Sequence, residues 1–196
     1  MKRRNGVIVI LLLVLAGAIP HVVEAAVGGR LALYSDAGLA QCTLTDTSPG
    51  VADVYVVHSV QGSPVVVLGV VGISFALTPS AGFDGTWLED IVPAGLGANG
   101  TSPSGKRVAS LTCWFNDKLL LHVRYQMQGG SSSCSFLQAV PYPGDPWIEA
   151  LTCGYGESIP VDGDRIFVNP DSSCPCDVPV ATESTTWGRI KAMYRD

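Results

Sequence analysis

Short runs rich in Val, Ile, Leu, Phe and Tyr alternate along the chain with clusters of Gly, Pro, Ser and Asn, about one break every ten residues. That spacing belongs to an all-β sandwich or barrel, and no long stretch before residue 180 carries a helical apolar period. Residues 30–34 read as a first short strand. In 51–60, Ala52, Val54, Val56, His58 and Val60 share one face, and Asp53, Tyr55, Val57 and Ser59 share the other. Residues 65–77 are uncharged and β-branched, which favours strand. As one straight strand they would reach ~43 Å, well beyond the usual ~20 Å, so a break or bulge is expected near Gly69 or Gly72. Residues 87–92 and 165–168 read as strands, and 93–105 as a loop.

Two hairpins are expected. The runs 107–115 and 119–127 flank Asn116-Asp117-Lys118. A three-residue loop places Ala109, Leu111, Cys113 and Phe115 on the same face as Leu119, Leu121, Val123 and Tyr125. A one-residue slip would mix apolar and polar faces, so this register is preferred. The second hairpin joins 134–140 to 147–153 through the proline-rich loop 141–146. Cys134 and Cys153 are equidistant from its centre, which predicts a cross-strand disulfide between them. The remaining cysteines would then pair Cys42 and Cys113 with Cys174 and Cys176. Residues 182–196 read as a short terminal helix, with Trp187, Ile190 and Tyr194 recurring at three and four and Thr182 or Ser184 as cap.

The amino terminus sets the compartment. Lys2, Arg3 and Arg4 precede an uncharged run over 6–19, and Val23-Glu24-Ala25 supplies small residues at the spacing of a signal-peptidase site. Fourteen helical residues span ~21 Å, short of a ~30 Å hydrocarbon core, so 1–25 reads as a cleaved signal, with an uncleaved or lipid-modified anchor as the alternative, and no membrane span is expected after cleavage. Six cysteines in an exported chain read as half-cystines: Cys42, Cys113, Cys134, Cys153, Cys174 and Cys176. No Cys-x2-Cys pair suggests zinc.

The chain has 12 Lys+Arg against 17 Asp+Glu, a net charge of −5. Nucleic-acid binding through bulk charge is thereby excluded. His58, Cys113, His122 and Met127 occur in the order of blue-copper ligands, but eight residues and a turn separate Cys113 from His122, and the two face apart. His58 reads as a buried histidine bonded to a backbone carbonyl, and His122 as solvated. No Ser-His-Asp or Gly-x-Ser-x-Gly arrangement assembles. Glu89 and Asp90 are adjacent on a strand, so they point to opposite faces and cannot share one site with Glu149. Cys174-Pro-Cys176 reads as two half-cystines and not as a redox dithiol. Asp162, Asp164, Asn169 and Asp171 offer oxygen ligands within ten residues, a calcium alternative that does not match an EF-hand spacing. Asn99-Gly-Thr101 is a glycan acceptor only in a eukaryotic host.

Several stretches carry a resemblance: Leu31-Ala-Leu-Tyr-Ser-Asp36, Cys42-Thr-Leu-Thr-Asp46, Val54-Tyr-Val-Val-His58, Val168-Asn-Pro-Asp171 followed by Cys174-Pro-Cys176, and Thr185-Thr-Trp-Gly-Arg-Ile-Lys191. The chain resembles a group of secreted, cysteine-bearing β-sandwich proteins of environmental bacteria. The resemblance implies export and a common fold and no activity. The terminal Thr-Trp-Gly-x-Ile-Lys pattern resembles tails of other exported bacterial proteins, which opens sorting or docking beside packing as roles for 182–196.

The expected organisation is therefore a signal (1–25), one antiparallel β-sandwich with disulfides (26–180) and a tail with a short helix (181–196). The expected function is an exported, non-catalytic module, secreted or at the cell surface with the periplasm as an alternative, structural or binding a saccharide or a surface protein. The loops 93–105 and 141–146, with Tyr142 and Trp147, are the expected contact surface, because exposed aromatics beside rigid prolines suit such contacts. The alternative is a secreted hydrolase.

Overall fold

A computed structural model describes residues 28–60, 68–154 and 156–176. The signal (1–25) and the terminal helix (182–196) lie outside these residues. Among the described residues twelve strands follow one another in chain order: β1 Arg30–Tyr34, β2 Thr43–Leu44, β3 Pro49–Ser59, β4 Val70–Pro79, β5 Gly85–Ile91, β6 Leu96–Thr101, β7 Gly105–Trp114, β8 Lys118–Gln128, β9 Ser135–Val140, β10 Ile148–Thr152, β11 Ser158–Gly163 and β12 Arg165–Val168.

Pairing runs in one path, β2-β12-β9-β4-β10-β11-β1-β3-β8-β5, with β7 on β4 and β6 on β7. The path folds over into a β-sandwich, as the alternating runs imply. Core residues come from both ends of it: Leu31, Val54, Val56, Leu121 and Val123 from β1, β3 and β8, and Ile73, Phe75, Val108, Leu137 and Ile166 from β4, β7, β9 and β12. Pairing is antiparallel throughout except at β1–β11 and β2–β12, which are parallel.

Both expected hairpins are corrected. β7 pairs with β4 and β6, whereas β8 pairs with β3 and β5. The connection at 116–117 crosses from one layer to the other and does not turn back on the same sheet. Freed from β8, β7 takes the opposite facing. Lys106, Val108 and Trp114 are buried, while Leu111 is fully exposed and Phe115 lies 47% exposed. β9 and β10 do not pair with each other. β10 lies against 70–74 of β4 and β9 against 76–79, both antiparallel to it. They therefore run in the same direction along β4, whose paired part from Pro79 to Val70 alone spans about 30 Å at strand rise, and Cys134 and Cys153 lie beyond its opposite ends. The Cys134–Cys153 bridge is thereby excluded. The disulfides are Cys42–Cys176, Cys113–Cys153 and Cys134–Cys174, with Cα separations of 5.9, 6.1 and 5.8 Å.

The loop expected over 93–105 contains β6, an edge strand hydrogen-bonded to β7. Its Gly97, Asn99 and Gly100 read locally as a turn, and only the neighbour makes it a strand. The long uncharged run breaks near Gly69, which sits at φ +65°. The β4–β7 register shifts between Val70 and Gly72, where β7 spends 110–113 against a single residue of β4.

A candidate contact surface at the loop end of the sandwich

Tyr142 and Trp147 bracket the connection between β9 and β10. Its sequence, Pro141-Tyr-Pro-Gly-Asp-Pro146, fixes backbone angles at three prolines and reverses at Gly144, where φ is +95°. Asp145 N–H closes the turn on the Tyr142 carbonyl at 2.9 Å. The turn is seated on the start of β7. A Cβ placed on Gly105 would stand 2.7 Å from the Tyr142 ring and 2.8 Å from Pro143, so only glycine leaves room for this loop. The guanidinium of Arg107, two residues on, lies 4.4 Å from the centre of the Tyr142 ring. That cation–π contact holds the half-buried ring on β7. The two loops singled out in the sequence thus meet, through the Gly105 end of the first.

Trp147 sits at the other end of the turn and is 46% exposed. Strand parity puts Trp147, Glu149 and Leu151 on the outer face of the sheet, while Ile148 and Ala150 enter the core. Across β10, β4 and β7 the outer rows read Glu149–Ser74–Arg107 and Leu151–Gly72–Ala109. Ser74 donates to Asp145 at 3.5 Å, and Ser158 donates to Glu149. The surface so formed carries an exposed indole, a braced phenol and a guanidinium, the side-chain types enriched at the energetic centres of protein contact sites, with Leu151 beside them. Nothing in the sequence marks Leu111 and Leu151 as exposed, and the register preferred for 107–115 places Leu111 with Leu121 and Val123, whereas β7 pairs with β4.

The groups considered for chemistry do not converge. His58 is buried in the core, with Nε2 2.9 Å from the Gly28 carbonyl and Nδ1 accepting from Trp114. Burial lowers its pKa, the Gly28 contact opposing this. His122 is only partly solvated: its ring stacks on Tyr55, with centroids 4.6 Å apart, and Nε2 meets Asp53 at 2.7 Å. Cys113 and Met127 lie elsewhere, one in a disulfide and one in the core. Glu89 pairs with Arg124 on the surface, whereas Asp90 is buried against Lys106, Ser102 and Trp87. Three of the four oxygen donors of the calcium alternative are engaged with protein groups. Asn169 is spent on Asp46 and Ser131, Asp164 on Arg30, and Asp171 on Ser133 and Ser173, which hold its carboxyl at about 2. Cys134, Asp171 and Cys174 come close together, but both sulfurs are committed to a disulfide.

No protein-family model matches the chain, and no curated protein sequence does. Solved structures do. A cohesin module from a family 33 glycoside hydrolase of Clostridium perfringens is similar over 74% of this chain and 99% of its own length, at 13% identity and a TM-score of 0.51. The seventh ScaB type I cohesin of Pseudobacteroides cellulosolvens is similar over 76% and 96%, at 10% identity and a TM-score of 0.46. The sixth cohesin of scaffoldin B from Acetivibrio cellulolyticus, solved in complex with a Cel5 dockerin, is similar over 74% and 99%, at 12% identity and a TM-score of 0.45. The first of these likenesses shows the fold, a β-sandwich of the shape that cohesin modules take.

Proposed function

We propose that this chain is an exported, non-catalytic module that binds a protein partner through the surface around Tyr142, Trp147 and Arg107. The observation that carries the reading is Trp147, a nearly half-exposed indole at the end of a proline-braced loop, beside a phenol already immobilised by Arg107. Immobilised aromatics lose little entropy when a partner covers them, which is why they serve as anchors. Three disulfides support an oxidising compartment. The cohesin-like fold supports a module that works by contact.

The experiment compares wild type with Trp147→Ala and Tyr142→Ala as immobilised baits against the exported proteins of the host, with a glycan array alongside. A protein retained by wild type and released at least tenfold faster from Trp147→Ala, with melting temperature unchanged, is expected. Retention of a glycan with no protein, or a protein retained equally by all three baits, overturns the reading.

A further inference from the structure

Asp90 of β5 and Lys106 of β7 meet between the layers, although their strands do not pair: β5 lies on β8, and β7 on β4 and β6. The Lys106 and Asp90 side chains are 7% and 3% exposed, with Nζ 3.0 Å from Oδ2. The donors around the carboxyl are divided between its two oxygens. Oδ1 accepts from the Ser102 hydroxyl at 2.7 Å and the Trp87 indole at 3.0 Å. Oδ2 accepts from Ser102 N–H at 2.8 Å and faces the amine. A second bond, to the Gly100 carbonyl at 2.9 Å, aims Lys106. The Tyr125 hydroxyl stands against Ser102, near enough to feel the Asp90 charge, and is buried with no hydrogen-bond partner among the described residues. An orphaned hydroxyl is costly in a folded interior, and this one borders a carboxyl–amine pair closed to water.

Two charges taken out of water are expensive to keep. Proton transfer from Nζ to Oδ2 discharges both and leaves an amine against a carboxylic acid, held within hydrogen-bond reach by the fold. Condensation is the next step. The Nζ lone pair attacks Cγ, and the negative charge that develops on Oδ1 falls on the Ser102 hydroxyl and the Trp87 N–H, two fixed neutral donors. Oδ2, already carrying one Nζ proton, takes a second and leaves as water, while the C–Nζ bond stays. Nζ keeps its third proton. An ammonium and a carboxylate thus become one amide and one water, with no oxidant or reductant. The Tyr125 hydroxyl is the free group at this site that can hold the expelled water.

We propose that Asp90 and Lys106 condense in this way, giving the domain an isopeptide crosslink between its two layers. The bond ties β5, which none of the three disulfides reaches. It also fixes β7 between Gly105 and Arg107, the two residues that hold the Tyr142 turn. The ion pair is the precursor, and without Asp90 the Lys106 amine is left buried and alone in either state. The crosslink needs no partner and is independent of the proposed function.

The test is mass spectrometry of the folded, mature chain after full reduction of its disulfides. Wild type is expected to weigh one water less than its sequence from the processed amino terminus. Proteolysis is expected to yield a branched peptide that joins the segment of Asp90 to that of Lys106. Asp90→Asn is expected to form the same bond with loss of ammonia in place of water. Lys106→Arg keeps the cation without a condensing amine, so it is expected at its full sequence mass. A wild type of full sequence mass, shown to be folded by its melting transition, overturns the proposal. So does a lost water that maps to Asp84-Gly85 or Asp162-Gly163, where a succinimide forms without Lys106, or one that persists in Lys106→Arg.

Discussion

Trp114 donates its indole N–H to His58 Nδ1 at 3.0 Å, inside the space between the two layers of the sandwich. His58 belongs to β3 and Trp114 to β7, so this bond ties strands that the chain never pairs. It also fixes the tautomer. With Nδ1 accepting, the ring proton resides on Nε2 and is donated to the Gly28 carbonyl at 2.9 Å. The imidazole is thus held neutral with both nitrogens used.

A pH dependence follows. Burial lowers the folded pKa of His58 below the ordinary value of 6.5. The unfolded chain therefore takes up the proton first as pH falls. Stability from this site is complete above the unfolded value and declines as pH drops below about 6.5 toward the folded pKa. Thermal melts between pH 8 and pH 5 should show the decline. His58→Gln, whose carboxamide offers one acceptor and one donor, should flatten it between pH 7 and pH 5.5. Equal slopes for the two proteins would refute the assignment.

A second tie between the layers is ionic. Lys106 Nζ lies 3.0 Å from Asp90, with both side chains under a tenth exposed. Asp90 also accepts from Ser102 N–H at 2.8 Å, the Ser102 hydroxyl at 2.7 Å and the Trp87 indole at 3.0 Å. Lys106 further donates to the Gly100 carbonyl. Removing one partner strands the other charge in the core. Asp90→Ala should cost about 3–5 kcal/mol in urea melts. Asp90→Ala with Lys106→Met should be more stable than Asp90→Ala alone, because the stranded charge is then gone. A double variant no better than the single would show that Asp90 acts through Ser102 and Trp87 and not through the ion pair.

The sequence is legible where facing depends only on the strand itself. Alternation in β3 and β8 places Val54, Val56, His58, Leu121, Val123 and Tyr125 inward, and all are buried. It fails where facing depends on the pairing partner. Ala109, Leu111, Cys113 and Phe115 alternate as cleanly as Leu121 and Val123, yet β7 packs on β4, and its alternation is inverted. Counting residues across the 141–146 loop presupposes a hairpin in the same way, and because β9 and β10 both pair with β4 the Cys134–Cys153 pairing has no basis. The exposure of Trp147 is legible because proline and glycine mark a rigid surface loop whatever the strands do. That of Leu111 and Leu151 is not, since an exposed leucine on a strand reads as core.

The corrected disulfides have consequences of their own. Cys113–Cys153 holds the β7 bulge against the end of β10, and Cys134–Cys174 anchors the segment after β12 to the start of β9. Each closes a loop of about 40 residues, for which loop entropy gives about 4 kcal/mol. Proteolysis without reduction should yield peptides joining Cys113 to Cys153, Cys134 to Cys174 and Cys42 to Cys176. Cys113→Ser with Cys153→Ser should lower unfolding free energy by up to that amount while the other two links persist. A peptide joining Cys134 to Cys153 would restore the hairpin and overturn the sheet order.

The last prediction concerns a polar knot joining segments far apart in sequence. Asp46 is buried, and its carboxylate accepts from Gly129 N–H at 2.7 Å and Ser131 N–H at 2.9 Å. Asn169, in a left-handed conformation at φ 48°, accepts from Asp46 N–H at 2.7 Å and donates to the carbonyls of Asp46 and Ser131 at 3.0 and 2.9 Å. Burial raises the Asp46 pKa, but the Ser131 hydroxyl and the backbone N–H groups of 129–131 outweigh it, and the net direction is down. A depressed carboxyl stabilises the fold above its unfolded pKa and loses that contribution as pH falls through the folded one. Asp46→Asn turns an amide toward backbone donors, and Asn169→Ala leaves three backbone groups unpaired. Each should cost about 1–3 kcal/mol at pH 7. They should differ in acid: toward pH 3 the Asp46→Asn penalty shrinks, because wild type is losing the same carboxylate, while the penalty of Asn169→Ala persists in part. Urea unfolding at pH 7 and pH 3.5 separates them, and equal penalties at both values for Asp46→Asn would remove the charge from the account.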